Sequence, residues 1–205
     1  MSGHVVASVE QLAALYGPVK ENSLRKEARR LTPEYRRWLE RAPFMAMATS
    51  GAGGLDCSPR GDRVGELCRA VDDETLVIPD RRGNNRLDSL RNIVADPRVG
   101  LLFMIPGITE TLRINGRARI SIDPDLLASL AIDGKAPVTA ILVDIEAVYF
   151  QCARALIRSA LWETTSRAGT GEVPTAGQMT KSSNPAFDAD AYDTALRPRQ
   201  LGSLY

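Results

Sequence analysis

Residues 111–122 alternate strictly between apolar and polar side chains, and this pattern constrains the fold more than any other feature of the chain. The apolar set is Leu112, Ile114, Gly116, Ala118, Ile120 and Ile122. Successive side chains of a β-strand point to opposite faces, so the pattern predicts a long strand with one face on a core and one basic, polar face.

Shorter apolar runs bounded by turn residues predict the other strands. They lie at residues 44–49, 55–60, 65–71, 75–79, 99–105 and 138–150. Short turns join most of them, which favours an antiparallel barrel over a parallel sheet. The predicted fold class is therefore mainly β with added helices.

Helical signals surround these strands. Ser8 and Thr32 are N-cap residues for predicted helices at 9–16 and 33–41. Apolar residues at 3–4 spacing predict further helices at 86–95, 124–131 and 152–162. From residue 163 the chain is rich in Gly, Pro, Ser and Thr, which predicts a loop or an arm laid on a partner. We expect a helical N-terminal extension (1–41), a barrel domain (42–165) and a C-terminal arm (166–205).

The composition excludes several classes of protein. The 205 residues carry a formal net charge of +1, which provides no overall field for nucleic acid or an anionic membrane. The one histidine, His4, lies near the start of the chain, where it is a poor catalytic candidate. This disfavours Ser-His-Asp and Cys-His catalysis and nearly all histidine-based metal sites, so no metal is expected.

The three cysteines, Cys57, Cys68 and Cys152, have no CxxC spacing and are expected to be reduced and mostly structural. No apolar run reaches the roughly 18 residues that a membrane helix needs. No secretory signal is visible at the start of the sequence. These features predict a cytoplasmic location.

An arginine-rich segment, residues 78–86, precedes the predicted helix at 86–95. It contains Arg81, Arg82 and Arg86 together with Asn84 and Asn85. Guanidinium groups beside a helix N-terminus form an anion pocket, most naturally for a phosphate. The alternative is a solvated surface loop in which Asn84 or Asn85 caps the helix.

A second candidate follows the strand at 55–60. Ser58 and Pro59 lead to Arg60, which would point into a cleft if the barrel ends there. The alternative is a plain surface turn with an Arg60–Asp62 ion pair.

Two further groups of polar residues have equally open interpretations. Thr111 and Arg113 lie on the basic face of the long strand, which is either a ligand groove or an exposed surface. Arg154, Arg158 and Trp162 share one face of the predicted helix at 152–162, which is either a subunit interface or a helix surface.

The order of five segments resembles the FMN-binding split-barrel family of pyridoxamine 5′-phosphate oxidase-like proteins. The segments are PFMAMATS, LDCSPRGD, TLVIPDRRGNNRLDSLRNI, ETLRINGRARI and FQCARALIRSALW. The resemblance covers residues 30–165 and is most specific in the PRGD and PDRxGNNRxxSLxNI stretches. It implies a six-stranded antiparallel split barrel and a homodimer with FMN sites at the subunit interface.

The resemblance also implies roles for individual residues. Ser58, Pro59 and Arg60 match the strand end that faces the flavin or its phosphate. Ile78, Pro79 and Asp80 match the strand end whose backbone lies beside the isoalloxazine ring. The matches to the phosphate-binding loop and helix start are Arg82, Asn85 and Arg86.

Four more residues match positions that approach the cofactor from elsewhere. Thr111 and Arg113 match polar strand positions that meet the ring, and Arg158 and Trp162 match positions on the other subunit. The family's pyridoxamine phosphate oxidases hold their substrate with a C-terminal Trp and a histidine. Neither has a counterpart here, since the chain ends ALRPRQLGSLY without a Trp and its one histidine is His4.

The expected function is that of an FMN-dependent oxidoreductase acting on an unassigned small molecule. A flavin carries the redox chemistry, so no protein nucleophile is needed. The alternatives are a non-catalytic flavin-binding or stress-related module, a true pyridoxamine or pyridoxine phosphate oxidase, and the same barrel holding a deazaflavin or haem.

Overall fold

The computed structural model describes residues 4–169 and 171–205. Within them, seven strands form one antiparallel sheet in the order β2-β1-β5-β6-β7-β4-β3. The strands are β1 (Phe44–Gly51), β2 (Gly54–Gly61), β3 (Arg69–Ala70), β4 (Thr75–Asp80), β5 (Arg98–Met104), β6 (Thr111–Ser121) and β7 (Thr139–Gln151). Mainly β architecture with added helices is confirmed.

The helices precede the sheet, connect its strands and follow it. They are α1 (Val9–Leu15), α2 (Glu21–Arg25), α3 (Pro33–Leu39), α4 (Asp88–Ala95), α5 (Pro124–Ser129), α6 (Arg154–Ser159), α7 (Ala176–Ser183) and α8 (Ala189–Leu201). Among the residues described, no helix is long and apolar enough to cross a membrane.

The alternation along β6 has the predicted structural result. Leu112 and Ile114 are buried, while Asn115 and Arg117 are exposed. β6 pairs with β5 on one side and β7 on the other, so its apolar face lies at the centre of the core. The largest buried core side chains come from five strands: Phe103, Met45, Met47, Leu76, Ile78, Leu101, Leu112, Ile114 and Ile141.

The second half of helix α4 packs closely on β1. Asn92 donates a hydrogen bond to the Thr49 hydroxyl over 3.1 Å. A Cβ atom at Gly51 would lie 2.3 Å from Asn92 Oδ1, so only glycine allows this approach. Ile93 is buried in the same contact, and the loop before α4 is thereby held against the sheet.

The six strands that the resemblance implies are too few, because the sheet has seven. The segment expected to be a strand at 65–71 pairs with β4 only at Arg69 and Ala70. Gly65 has a φ of +88°, and Glu66 N–H donates to the Arg63 carbonyl, so the chain turns before it can pair.

The prediction of a loop from residue 163 onward is also wrong, because the segment contains α7 and α8. Thr175 and Gln178 form a reciprocal capping box at α7, and Asp188 caps α8. Gly177 N–H donates to the Asp193 carboxylate over 2.8 Å and joins the two helices. Thr175 is one of the polar residues that suggested a loop, and it serves instead as a helix cap. The three-part division of the chain stays a prediction.

Candidate functional site

A cleft of about 900 Å³ opens where β2 and β4 end. Its other walls are the loop before α4 and the turn before β7. Nine of the residues predicted to bind a cofactor line it: Ser58, Pro59, Arg60, Ile78, Pro79, Asp80, Arg82, Asn85 and Arg86. Segments about 20 residues apart in sequence thus meet at one site, as the resemblance implies.

The loop between β4 and α4 has an unusual backbone. Asn85 and Leu87 have φ values of +59° and +62°, in the left-handed region that non-glycine residues seldom adopt. Asn84 Oδ1 accepts a hydrogen bond from Arg86 N–H over 3.1 Å. The prediction that Asn84 or Asn85 caps the helix is wrong, since Leu87 occupies the N-cap position and α4 begins at Asp88.

Two carboxylates hold this loop and the helix start in place. Asp88 forms an ion pair with Arg86, so the arginine already has an acidic partner within its own loop. Asp56, on β2, accepts hydrogen bonds from Ser58 over 2.9 Å and from Ser89 over 2.6 Å. The bond from Ser89 holds the pKa of Asp56 below its usual range, which keeps this link between β2 and α4 ionised.

A buried ion pair crosses the cleft between Asp62 and Arg81. Arg81 Nε donates to Asp62 Oδ2 over 2.7 Å, and Arg81 Nη1 donates to the Leu130 carbonyl over 2.7 Å. The Asp62 side chain is only 2% exposed. The alternative prediction of a surface Arg60–Asp62 pair is therefore wrong, because Asp62 pairs with Arg81.

Buried polar atoms without a hydrogen-bond partner concentrate at this cleft. Across residues 4–169 and 171–205 they are Arg60 Nε, Arg81 Nη2 and Thr139 Oγ1, and all three residues line the cleft. Arg81 Nη2 approaches the Glu66 carboxylate, but the distance of 3.9 Å is too long for a hydrogen bond. Buried polar groups are normally paired, so these unsatisfied groups indicate a site for a ligand that carries hydrogen-bond acceptors.

Asp80 is the acidic group among these cations. It lies at the end of β4, opposite Thr139 on β7. Burial raises the pKa of Asp80 above its usual range, and the nearby Arg60 guanidinium partly offsets that rise. The carboxylate is therefore easier to protonate than a surface aspartate.

Four predicted cofactor residues lie outside the cleft. Thr111 is buried, and Arg113 donates to the Tyr149 hydroxyl and to Gln151 on β7. Arg158 lies on α6 and is exposed. Trp162 lies beyond the end of that helix and donates to the Ile108 carbonyl over 2.8 Å.

The expectation of a single helix face carrying Arg154, Arg158 and Trp162 is wrong. Ala160 has a φ of +48° and ends α6, so Trp162 is not part of the helix.

Several residues that line the cleft were not predicted from the sequence. Arg81 lay within the arginine-rich segment, but only Arg82, Asn85 and Arg86 were matched to the phosphate-binding loop. Lys135 belongs to the turn before β7, Thr139 is the first residue of β7, and Tyr205 lies 143 residues from its partner Asp62. No local motif marks these three residues, because only the tertiary fold brings them to the cleft.

Comparisons with known proteins agree with the fold. The family model for pyridoxamine 5′-phosphate oxidase matches residues 31–152, more than half of the chain. No curated protein matches the sequence. The solved structures that resemble the chain include HupZ of Group A Streptococcus, with 16% identity and a TM-score of 0.47 over 58% of this chain and 93% of that one.

Two further solved structures are similar. General stress protein 26 of Bacillus anthracis is 14% identical, with a TM-score of 0.41 over 55% of this chain and 86% of that one. A protein of the pyridoxinephosphate oxidase family from Clostridium acetobutylicum, related to general stress protein 26, is 15% identical. Its TM-score is 0.43 over 58% of this chain and 85% of that one.

Proposed function

Because the chain belongs to the pyridoxamine 5′-phosphate oxidase family, we propose that its cleft binds FMN and that it is an oxidoreductase of a small molecule. The observation that carries this proposal is the convergence of Arg60 Nε, Arg81 Nη2 and Thr139 Oγ1 on one cleft. A flavin has carbonyl oxygens and ring nitrogens along one edge, and these acceptors fit the unpaired groups. The two guanidinium atoms are shielded, so a ligand would meet them after a small side-chain shift.

The loop before α4 supplies the groups that suit a phosphate. Arg82 and Arg86 provide guanidinium donors, and Asn85 provides an amide. Charge-assisted hydrogen bonds of this kind are about twice as strong as neutral ones. Arg86 would share its charge between the phosphate and Asp88, so we expect it to contribute less than an unpaired arginine.

The chemistry of the proposed reaction would come from the cofactor, since bound FMN accepts and returns a hydride. The protein residues would bind it, orient it and adjust its electrostatics. The Arg60 cation would stabilise negative charge that develops in the cleft during reduction. Asp80, whose pKa is raised by burial, could hold a proton within the same cleft.

We also propose that two copies of the chain form a homodimer. Arg113, Arg158 and Trp162 lie outside the cleft of their own chain, which is consistent with a role at the cleft of a second copy, whereas Thr111 is buried in its own chain and does not support such a role. Large apolar side chains are exposed in the same region: Phe150 by 43%, Ile157 by 62% and Leu161 by 47%. Burying them against another copy would stabilise an interface.

Steady-state spectroscopy separates an oxidoreductase from a flavin-binding module without turnover. The purified protein, loaded with FMN, is mixed with NADH or NADPH without oxygen and is then exposed to air. We expect the flavin absorbance to bleach and return. Bound FMN that none of the tested donors reduces would favour the non-catalytic module, and gel filtration at a monomer mass would contradict the dimer.

A further inference from the structure

Tyr205 enters the cleft, although the helices that precede it are largely separate from the sheet. Its hydroxyl donates to Asp62 Oδ1 over 2.7 Å, and its main-chain oxygen accepts from Lys135 Nζ over 3.0 Å. Within the described part of the chain, these are the hydrogen bonds that join residues 171–205 to the sheet and its loops. Both of these hydrogen bonds between the C-terminal helices and the sheet region are made by one residue, Tyr205.

The Tyr205 ring has a specific environment. The Arg63 guanidinium lies 4.9 Å from the ring centroid and the Arg81 guanidinium lies 5.9 Å from it, both within cation–π range. The bond to Asp62 raises the pKa of the Tyr205 hydroxyl above its usual value, which is already high enough to keep the hydroxyl a donor at neutral pH. Asp62 is nearly fully buried and accepts from both Tyr205 and Arg81. An incidental surface contact would not combine these features.

The same network controls the orientation of Arg81. Asp62 and the Leu130 carbonyl fix two of its nitrogens, and Arg81 Nη2 is left without a partner at the cleft. Tyr205 lies against this guanidinium and against Lys135. It thereby occupies the wall of the cleft next to the turn that leads into β7.

We propose that Tyr205 is a specificity-determining residue that closes the Lys135 side of the cleft and positions Arg81 for the ligand. This inference rests on the proposed function, because it takes FMN as the ligand of the cleft. Tyr205 would then limit access to the bound FMN. Substrates and reductants would then reach the cofactor either by passing the Tyr205 ring or after the ring has moved away together with α8.

The test compares Tyr205→Phe and Tyr205→Ala with the full-length protein. Tyr16→Phe is the matched control, because Tyr16 is 71% exposed and lies outside the cleft. The first readout needs no cofactor and is hydrogen exchange at the amides of Gly202 and Ser203, whose turn bonds immediately precede Tyr205. Loss of a hydrogen bond to a charged acceptor should speed this exchange on the order of tenfold in Tyr205→Phe.

The second readout is the rate at which dithionite reduces bound FMN, followed by absorbance. We expect a several-fold faster reduction in Tyr205→Ala, together with a smaller change in FMN affinity than in Arg86→Ala. Wild-type rates in both Tyr205 variants would overturn the inference. Faster exchange with an unchanged reduction rate would also overturn it, because Tyr205 would then hold α8 without limiting access.

The two readouts separate the inference from the proposed function. A wild-type protein that binds no FMN would contradict the proposed function directly, and the exchange rates would still show whether Tyr205 holds α8. A wild-type protein that binds FMN, with Tyr205 variants that behave like Tyr16→Phe, would leave the proposed function standing and reject the role of Tyr205.

Discussion

Replacing Asp62 by alanine should destabilise the protein far more than removing an ordinary surface ion pair. The Asp62 carboxylate accepts hydrogen bonds from Arg63 N–H over 2.8 Å, from Arg81 Nε over 2.7 Å and from the Tyr205 hydroxyl over 2.7 Å. The Arg81 side chain is only 14% exposed, so water would compensate for the lost carboxylate only in part. Asp62→Ala leaves the buried guanidinium with the neutral Leu130 carbonyl as its remaining hydrogen-bond acceptor.

Removing one partner of a buried ion pair costs about 3–5 kcal/mol, because the other charge remains buried without compensation. In a chain of this size each kcal/mol lowers the melting temperature by about 2–4 °C. We therefore expect Asp62→Ala to melt about 6–20 °C below wild type. Asp62→Asn keeps the side-chain volume and part of the hydrogen bonding. Its melting temperature should therefore lie between those of Asp62→Ala and wild type.

The assay is urea and thermal unfolding of the wild type, both Asp62 variants and Asp144→Ala. Asp144 pairs with Arg119, and each side chain is more than half exposed. Such a surface pair contributes about 0–1 kcal/mol, so Asp144→Ala should melt close to wild type. If Asp62→Ala were no less stable than Asp144→Ala, the reasoning from burial would be refuted.

Three further outcomes follow from the structure. Arg86→Ala should raise the Kd for FMN about tenfold, because a charge-assisted hydrogen bond contributes about 1.5–3 kcal/mol and the ion pair with Asp88 places Arg86 at the low end of that range. An unchanged titration curve would contradict this. Gly116→Ala should lower the free energy of urea unfolding by about 3 kcal/mol, because its Cβ would lie 2.2 Å from a main-chain oxygen of β7. An unfolding free energy equal to that of wild type would contradict this expectation and show that the two strands can shift. Burial raises the pKa of the Cys68 thiol to about 12, so alkylation of the folded protein should label Cys57 and Cys152 only. Rapid labelling of all three thiols would contradict this expectation.

The sequence predicted those parts of the fold that depend on local periodicity. β6 was recognisable because its alternation is strict over its whole length, and its burial follows the same pattern. The strand expected at 65–71 was mostly wrong, since Gly65 bends the chain before it can pair. Helices α7 and α8 were missed, because their stability depends on capping and mutual packing rather than on a strong apolar stripe.

The candidate site, like the fold, could be predicted from the sequence only in part. The arginine-rich segment was visible because Arg82 and Arg86 are close in sequence and precede a helix. Asp62, Arg81 and Tyr205 form their network across the whole length of the chain. No spacing rule predicts such a contact, which depends on the path of the chain after β7.

The central claim is that the cleft between β2 and β4 holds FMN, and direct titration tests it most simply. Purified protein is stripped of any bound flavin and titrated with FMN, with riboflavin as the ligand that lacks the phosphate and Arg91→Ala as a variant outside the cleft. We expect saturable binding of FMN, weaker binding of riboflavin, and a smaller preference for FMN in Arg86→Ala but not in Arg91→Ala. Equal affinity for FMN and riboflavin in every variant, or no binding at all, would contradict it.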